Sequence, residues 1–553
     1  LAATSDDGES FALIFSEWSE VAPLADLLIR SAARHPDRHA LVMPDLTLTY
    51  AELRDASIEI ARGIIGLGLA PRAHVGILAN NSRELVTALF GAALANCVAV
   101  PLNARHKSRE LGFIIENADL AVILTTAADT RFVDFRSVLA EALPSLGTSA
   151  PGAPLALAEA PLLRGVVVLE GDAPAGFISR TDFVAAAQAV PVSAVDAVRR
   201  ATRLRDTAFI IYTSGTTANP KGCLLCHEAV SRGPVERASS RFRAREHDVT
   251  WGGGPLFHIG SLAPFIGVIG TGGTYVTDVF FDAGRALDLM ERENVSVAWP
   301  WFPAILQPLL DHPAFDPARL AAWRKVLLIA PPALVNRVQQ TFPEAEFMQA
   351  CGMTETAGIF ALCAPDETPE QRAVSQGKPV PGIAVKIIEL ESGEEAAADV
   401  VGEILVRGYC VMDGYYRSPE KTAEALDAEG WLHTGDLYAR AADGQLTFHG
   451  RAKDMLKVGG ENVAAIEVEA YLCSHPAVKL AEVVGRPDPR LDEVPIAFVE
   501  LRPGKSASEE ELIAFCQGRI ASYKVPRAVF FMNDGEWPMS ATKVDKRALR
   551  ARL

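Results

Sequence analysis

The 553-residue chain has no apolar run of the roughly 18 residues needed to cross a bilayer; the most apolar stretch, residues 265–276, is interrupted by glycines and threonines. No transmembrane segment is expected. The opening LAATSDDGES is acidic and lacks a basic start, so a signal peptide is not expected either, and the cytoplasm is the expected location. Positive charge is in short supply: 53 Lys and Arg face 69 Asp and Glu, and the formal net charge of −16 repels a phosphate backbone over the surface as a whole. Nucleic acid is therefore not an expected partner, although a local basic patch can still hold one nucleotide. Cysteine is scarce, and eight residues without regular spacing read as reduced thiols. Cys223, Cys226 and His227 spell C-L-L-C-H, the spacing of covalent haem attachment, but they directly follow a glycine-containing loop. No second Cys or His pair completes a zinc site, so burial is their expected role. No period of roughly 20 to 50 residues recurs, which excludes solenoids and propellers.

What is present is a packed enzyme's composition, with 49% hydrophobic and 22% charged residues. The length exceeds what one hydrophobic core sustains, so more than one domain is expected. Residues 53–67 carry apolar side chains at helical spacing, 75–78 are a short apolar run, 83–94 are helix-like, and 98–102 are apolar again. This alternation implies α/β architecture with layered sheets; periodicity leaves an α+β arrangement with mixed sheets open. Residues 125–192, rich in Ala, Pro and Gly, are expected to be surface loops or an insertion. After His449-Gly450-Arg451 the pattern shifts to short, charged elements. Residues 1–450 are thus expected to form a large N-terminal domain of layered α/β sheets, and 451–553 a small mobile C-terminal α+β domain.

The apolar run at 208–212 leads into Thr213-Ser214-Gly215-Thr216-Thr217-Ala218-Asn219-Pro220-Lys221-Gly222. Hydroxyls, a flexible glycine and a lysine in so few residues can surround a polyphosphate with donors and positive charge. The Gly-Lys-Ser/Thr of a Walker A loop is absent, and residues 223–226 read as a strand rather than a helix start. A Ser/Thr/Gly-rich turn on its own is as often a plain hairpin. The lysine at its end favours phosphate.

YTSGTTANPKG at 212–222 resembles the phosphate loop of the adenylate-forming superfamily, which includes acyl-CoA synthetases, adenylation domains of peptide synthetases and firefly luciferase. Four further segments follow in the family's order: GPLFHIGSL at 254–262, CGMTET at 351–356, GWLHTGDL at 430–437 and GRAKDMLKVGGENV at 450–463. With LTYAEL at 48–53 and VPLN at 100–103, the resemblance covers nearly the whole chain, and it is closest to the acyl-CoA synthetase type. It implies an AMP-forming acid–thiol ligase that uses ATP, Mg2+ and coenzyme A. Attack of a carboxylate on the ATP α-phosphate replaces a poor leaving group with AMP, and the shifting phosphate charge must be neutralised.

By the same resemblance, Thr213, Ser214, Gly215, Thr216, Thr217 and Lys221 hold the β and γ phosphates, and Thr354 touches the α-phosphate. Glu355 binds Mg2+, with Thr217 a weaker ligand. Ala330, Pro331, Cys351, Gly352 and Met353 frame the nucleotide, Asp436 accepts from the ribose hydroxyls, and Arg451 contacts ribose or phosphate. Lys543, in PMSATKV at 538–544, resembles the catalytic lysine that bridges carboxylate and α-phosphate. That motif is one residue shorter than the family's and lacks its glycine, so Lys546 is the reserve. Cys351 stands where the family places an aromatic that stacks on adenine, IAPP at 329–332 replaces its Gly-Ala-Ala-Pro, and Ala218 replaces a loop glycine.

Amino-acid-activating relatives carry an Asp near 257 to pair with the ammonium, whereas this chain reads Phe257-His258-Ile259-Gly260. A buried amine would go unpaired, so an aliphatic, alicyclic or aromatic acid is expected. His258, Ile259, Gly260, Trp301 and Ile329 are the expected acyl pocket. No carrier-protein motif follows, so a diffusible thiol is the simpler acceptor. In the family a hinge, here Lys453, lets the small domain turn and bring Lys457, Gly459 and Gly460 to coenzyme A. The alternative is an adenylating enzyme or luciferase-like oxidase with another acceptor; a homodimer is left open.

Overall fold

A computed structural model describes residues 21–127, 133–148, 155–213, 220–245, 247–458, 461–540 and 543–553. Ser214, Gly215, Thr216, Thr217, Gly459 and Gly460 lie outside the described residues, and of Lys543 only the backbone is described.

Two seven-stranded sheets organise the larger part of the molecule. In the first, Glu346–Met348, Lys325–Leu328, Val297–Trp301, Val249–Gly252, Thr274–Val276 and His39–Met43 run parallel, and Leu46–Thr49 closes the edge antiparallel. In the second, Thr207–Thr213, Val98–Pro101, His74–Leu78, Leu120–Thr125 and Gly165–Val168 are parallel. Lys221–Cys226 and Gly414–Tyr415 extend that sheet antiparallel. Covered on both faces, such strands need no polar alternation, which is why Val98–Pro101 and Val297–Trp301 are buried throughout.

The helices have local starts legible in the chain. Thr49 and Glu52 form a reciprocal capping box ahead of Tyr50–Gly66, and the Ser82 hydroxyl accepts from Leu85 N ahead of Arg83–Leu94. From Leu85 to Leu94 every residue of that second helix is buried. Helix His227–Ser240 packs on the second sheet, helix Ile259–Thr271 on the first, and the two helices pack on each other between them. One apolar core runs through this layer, including Phe90, Phe209, Phe265 and Tyr275.

The expectation of loops or an insertion over 125–192 is corrected. Gly165–Val168 is a fully buried edge strand, and helix Arg180–Gln188 packs on Tyr50–Gly66 with Phe183 set against Gly63. A four-residue strand buried on both faces shows no alternation, and an Ala-rich helix shows little contrast between its faces, so neither left a periodic signal. The C-L-L-C-H segment is core, as expected: Cys223 and Cys226 are buried, and His227 Nδ1 accepts from Leu24 N at 3.2 Å. All eight cysteines are free thiols.

Beyond the large sheets, residues 383–451 form a four-stranded antiparallel sheet. From Met455 onward a five-stranded sheet with helices Ala465–Cys473 and Glu509–Cys516 has its own apolar core, among it Leu456, Val468, Leu472 and Leu512. The hairpin Met539–Ser540 and Lys543–Val544 precedes the last helix, Lys546–Arg550. Among the described residues no helix is long and apolar enough to cross a membrane.

Candidate active site

The phosphate-loop segment is the connection of a hairpin. Thr213, the last residue of Thr207–Thr213, pairs with Lys221, the first of Lys221–Cys226, and its Oγ1 lies 3.5 Å from Lys221 O. Strand Gly414–Tyr415 adds to the far side, with Tyr415 opposite Cys223. That register places Lys221 Nζ 4.1 Å from the centre of the Tyr415 ring, within cation–π range. The Tyr415 hydroxyl donates to Glu355 Oε1 at 2.8 Å, and Met412 N donates to Glu355 O at 2.8 Å. Lys221 and Glu355, distant in sequence, thus meet across one tyrosine. Burial and the Glu355 carboxylate push the Tyr415 phenol far above its ordinary pKa, so it stays protonated and donates to Glu355.

Glu355 and Thr354 sit on the single turn Thr354–Thr356, each 8% exposed. The turn is braced by Thr356, whose hydroxyl donates to Gly358 O at 2.7 Å and accepts from Met353 N at 3.2 Å. Gly352 must be glycine: an added Cβ would stand 2.4 Å from Gly358 O. Among the described residues no group of three or more His, Cys, Asp or Glu could hold a metal ion. A lone carboxylate suits a Mg2+ that arrives with phosphate and water ligands, not one caged by protein alone.

The HTGD and HGR segments lie on strands Leu432–Arg440 and Leu446–Arg451, where Asp436 faces Arg451 directly. Arg451 Nε is 2.9 Å from Asp436 Oδ1. Glu403, which the sequence did not single out, orients this turn: its Oε1 accepts from Gly435 N at 2.8 Å and its Oε2 lies 3.3 Å from His433 Nδ1. Thr434 anchors the strand through Ile404 O at 2.7 Å.

Cys351 is buried beside the Tyr438 side chain; burial raises both above their ordinary pKa values. A ring therefore stands beside position 351, supplied by strand Leu432–Arg440 and packed on Phe448 at 5.2 Å between centroids. Ala330 N donates to Gln349 Oε1 at 3.3 Å, which ties the Ala330-Pro331 segment to the residue between strands Glu346–Met348 and Ala350–Met353. Tyr438 was missed because one tyrosine after HTGDL carries no signal until its strand is paired.

The expected acyl residues come together at the C-terminal ends of the first sheet's strands, where open α/β sheets bind ligands. His258 caps helix Ile259–Thr271, its Nδ1 accepting from Gly260 N at 3.1 Å. A Cβ on Gly260 would lie 3.5 Å from Trp301, and Ile329 N donates to Trp301 O at 2.7 Å. Trp301 holds φ at 63°, a strained value for an aromatic residue, and its buried Nε1 has no partner among the described residues. Lys453 and Lys457 are exposed, on the turn Ala452–Asp454 and the strand Met455–Val458. Lys546 Nζ is taken up by Glu469 and, at 3.4 Å, by Glu482.

The family model described as AMP-binding enzyme matches residues 28–416, and the AMP-binding enzyme C-terminal domain matches 467–543. The chain is 34% identical over 531 residues to a 3-[(3aS,4S,7aS)-7a-methyl-1,5-dioxo-octahydro-1H-inden-4-yl]propanoyl:CoA ligase of Mycobacterium tuberculosis, covering 95% of this chain and 97% of the relative. It is 29% identical over 543 residues to a mitochondrial medium-chain acyl-CoA ligase of Mus musculus, covering 96% of this chain and 87% of the relative. Among solved structures, an anthranilate CoA ligase in complex with anthranoyl-AMP superposes with a TM-score of 0.81 at 26% identity, covering 97% of this chain and 98% of that one.

Proposed function

The chain belongs to the AMP-binding enzymes, and from that premise we propose that it is an ATP-dependent carboxylic acid:CoA ligase working through an acyl-adenylate. The observation that carries the reading is the convergence of Lys221, Tyr415 and Glu355 beside the Thr354 turn, with the Asp436–Arg451 pair on the adjoining sheet. A carboxylate oxygen of the acid attacks the ATP α-phosphorus and the bond to pyrophosphate breaks. The thiol sulfur of coenzyme A then attacks the acyl carbon, AMP departs, and the thiol proton is released.

Thr213 and Lys221 hold the outer phosphates and Asp436 the ribose, with Arg451 orienting Asp436. Glu355 is the residue that would hold Mg2+, which supplies charge neutralisation for the phosphates when bound. Lys543 bridges carboxylate and α-phosphate. Residues 451–553 turn about Lys453 between the half-reactions, as one small domain. The acid is a free carboxylic acid without an α-amine, since Phe257-His258-Ile259 offers no carboxylate to an ammonium. Relatives acting on a dioxo-bicyclic propanoate and on medium-chain acids support an aliphatic or alicyclic skeleton. Eight free thiols suit a reducing compartment such as the cytoplasm.

A panel of acids assayed for pyrophosphate with and without coenzyme A tests the reading. Alkanoic and alicyclic acids should elicit pyrophosphate, and continuous AMP release should require coenzyme A. Activation of ordinary α-amino acids, or sustained turnover indifferent to coenzyme A, would sink it. A second expectation concerns Tyr415→Phe, which removes the donor to buried Glu355 and should raise the Mg2+ concentration for half-maximal pyrophosphate release about tenfold, the equivalent of roughly 1.4 kcal/mol. An unchanged Mg2+ dependence would show that Tyr415 only packs.

A further inference from the structure

Between helices His227–Ser240 and Ile259–Thr271 and the strands Val249–Gly252 and Val297–Trp301 lies a cavity of ≈ 40 Å3, room for about three water-sized groups. Its wall is mostly small or apolar, with Ala238, Ala263, Gly267, Val297 and Trp299 among the lining residues. Arg237, Arg245, Asp248, Thr250 and Thr271 are its polar members, and the Asp248 carboxylate is taken up by Arg324. Arg237 is 3% exposed, it lines the cavity, and its Nη1 donates to Ile359 O at 2.8 Å. A guanidinium has five N–H donors, and among the described residues no carboxylate pairs with this one. Burial lowers its pKa to about 10, which still leaves it charged at neutral pH. An ionised group buried without a counter-charge is costly, and a ligand oxygen would relieve that cost.

Its position relates it to the acyl site. Nη2 lies 3.6 Å from where a Cβ on Gly358 would stand, and Ala263 and Ile259 lie 3.4 and 3.9 Å from the same point. Gly358 follows the Thr354–Thr356 turn by two residues, and Ile259 follows His258. An acid whose carboxylate lies at Thr354 and whose body passes Ile259 therefore has the guanidinium near its far end. The cavity is too small for a ring but fits a terminal polar group.

We propose that the acid activated by this enzyme carries a carbonyl or carboxylate oxygen at the end remote from the reacting carboxylate, and that Arg237 donates to it. This rests on the ligase reading and narrows the substrate class from an apolar acid to one with an apolar body and a distal acceptor. A planar fork of donors recognises such an oxygen with directed hydrogen bonds.

The test uses acids of stepped length in three versions: plain, with a ketone next to the chain end, and with a terminal carboxylate. At the best length, one acceptor-bearing version should exceed the plain acid in kcat/KM by about tenfold or more, and which version wins identifies the oxygen. Arg237→Met should lower that ratio about tenfold or more, and Arg237→Lys, which keeps the charge without the fork, by a smaller factor. Thermal melting establishes which variants are folded. Preference for plain acids at every length, or an unchanged ratio in a folded variant, overturns the assignment. Equilibrium binding of the same acids in the presence of AMP separates the two readings. If no acid releases pyrophosphate but binding favours the acceptor version and loses that preference in Arg237→Met, the ligase reading fails and the Arg237 assignment stands.

Discussion

Replacing Lys543 with alanine should lower acyl-adenylate formation by about two to three orders of magnitude, the loss that follows removal of one preorganised donor from a charged transition state. Pyrophosphate release from ATP and acid in single turnover reads this directly. Lys543 begins the second strand of a hairpin in which it pairs with Ser540 through backbone groups, so the hairpin does not need the lysine side chain and the melting temperature should hold. Lys546 is the control. Its Nζ is shared by Glu469 and Glu482, and burial together with the Glu469 charge raises the Glu482 pKa to about 7. Lys546→Ala leaves two carboxylates facing each other and should cost a few kcal/mol of small-domain stability. Should Lys546→Ala abolish adenylation at unchanged melting temperature while Lys543→Ala remains active, the assignment of the shortened PMSATKV motif is wrong.

Lys457→Ala should slow thioester formation from supplied acyl-AMP by about 10- to 100-fold, the range of one hydrogen bond to a charged group, and leave the first half-reaction nearly intact. Lys457 is exposed on the strand Met455–Val458, its backbone N donates to Glu493 Oε2 at 3.0 Å, and no described ion pair engages its ammonium. A side chain that reaches the site only after the small domain turns affects only the step run in that state. Lys543→Ala should show the converse pattern. A double variant measured in both half-reactions should therefore show each loss in its own step. Equal loss of both steps in Lys457→Ala would remove the support for alternation about Lys453.

The legible parts of the fold were those carried by local chemistry. Helices Tyr50–Gly66 and Arg83–Leu94 showed in the apolar spacing of residues 53–67 and in the helix-like run 83–94, because one face of each repeats within a few residues. The strands Val98–Pro101 and Thr207–Thr213 announced themselves as apolar runs next to turns. Gly165–Val168 did not, since four buried residues after a proline-rich stretch look the same as a loop that happens to be apolar. The site divides similarly. Lys221, Thr354, Glu355, Asp436 and Arg451 stood out because each lies in a short segment that resembles one of the family's, in the family's order, and the pairing of Asp436 with Arg451 follows once their strands are seen as a hairpin.

The amino-acid order was enough to assign the family and the α/β class and to nominate the charged groups, because the phosphate loop and the segments at 351–356, 430–437 and 450–463 each keep their chemistry within about a dozen residues. Nothing in that order could pair Tyr415 with Glu355, Tyr438 with Cys351, or Arg237 with Ile359, which are separated by 60, 87 and 122 positions. Those meetings follow from long-range strand register and from two helices packed between two sheets. Burial is likewise a property of the packed whole. Arg237 reads in the chain as an ordinary charge on a polar-looking helix, VERASS, and becomes a buried donor only when helix Ile259–Thr271 and strand Gly358–Leu362 close over it.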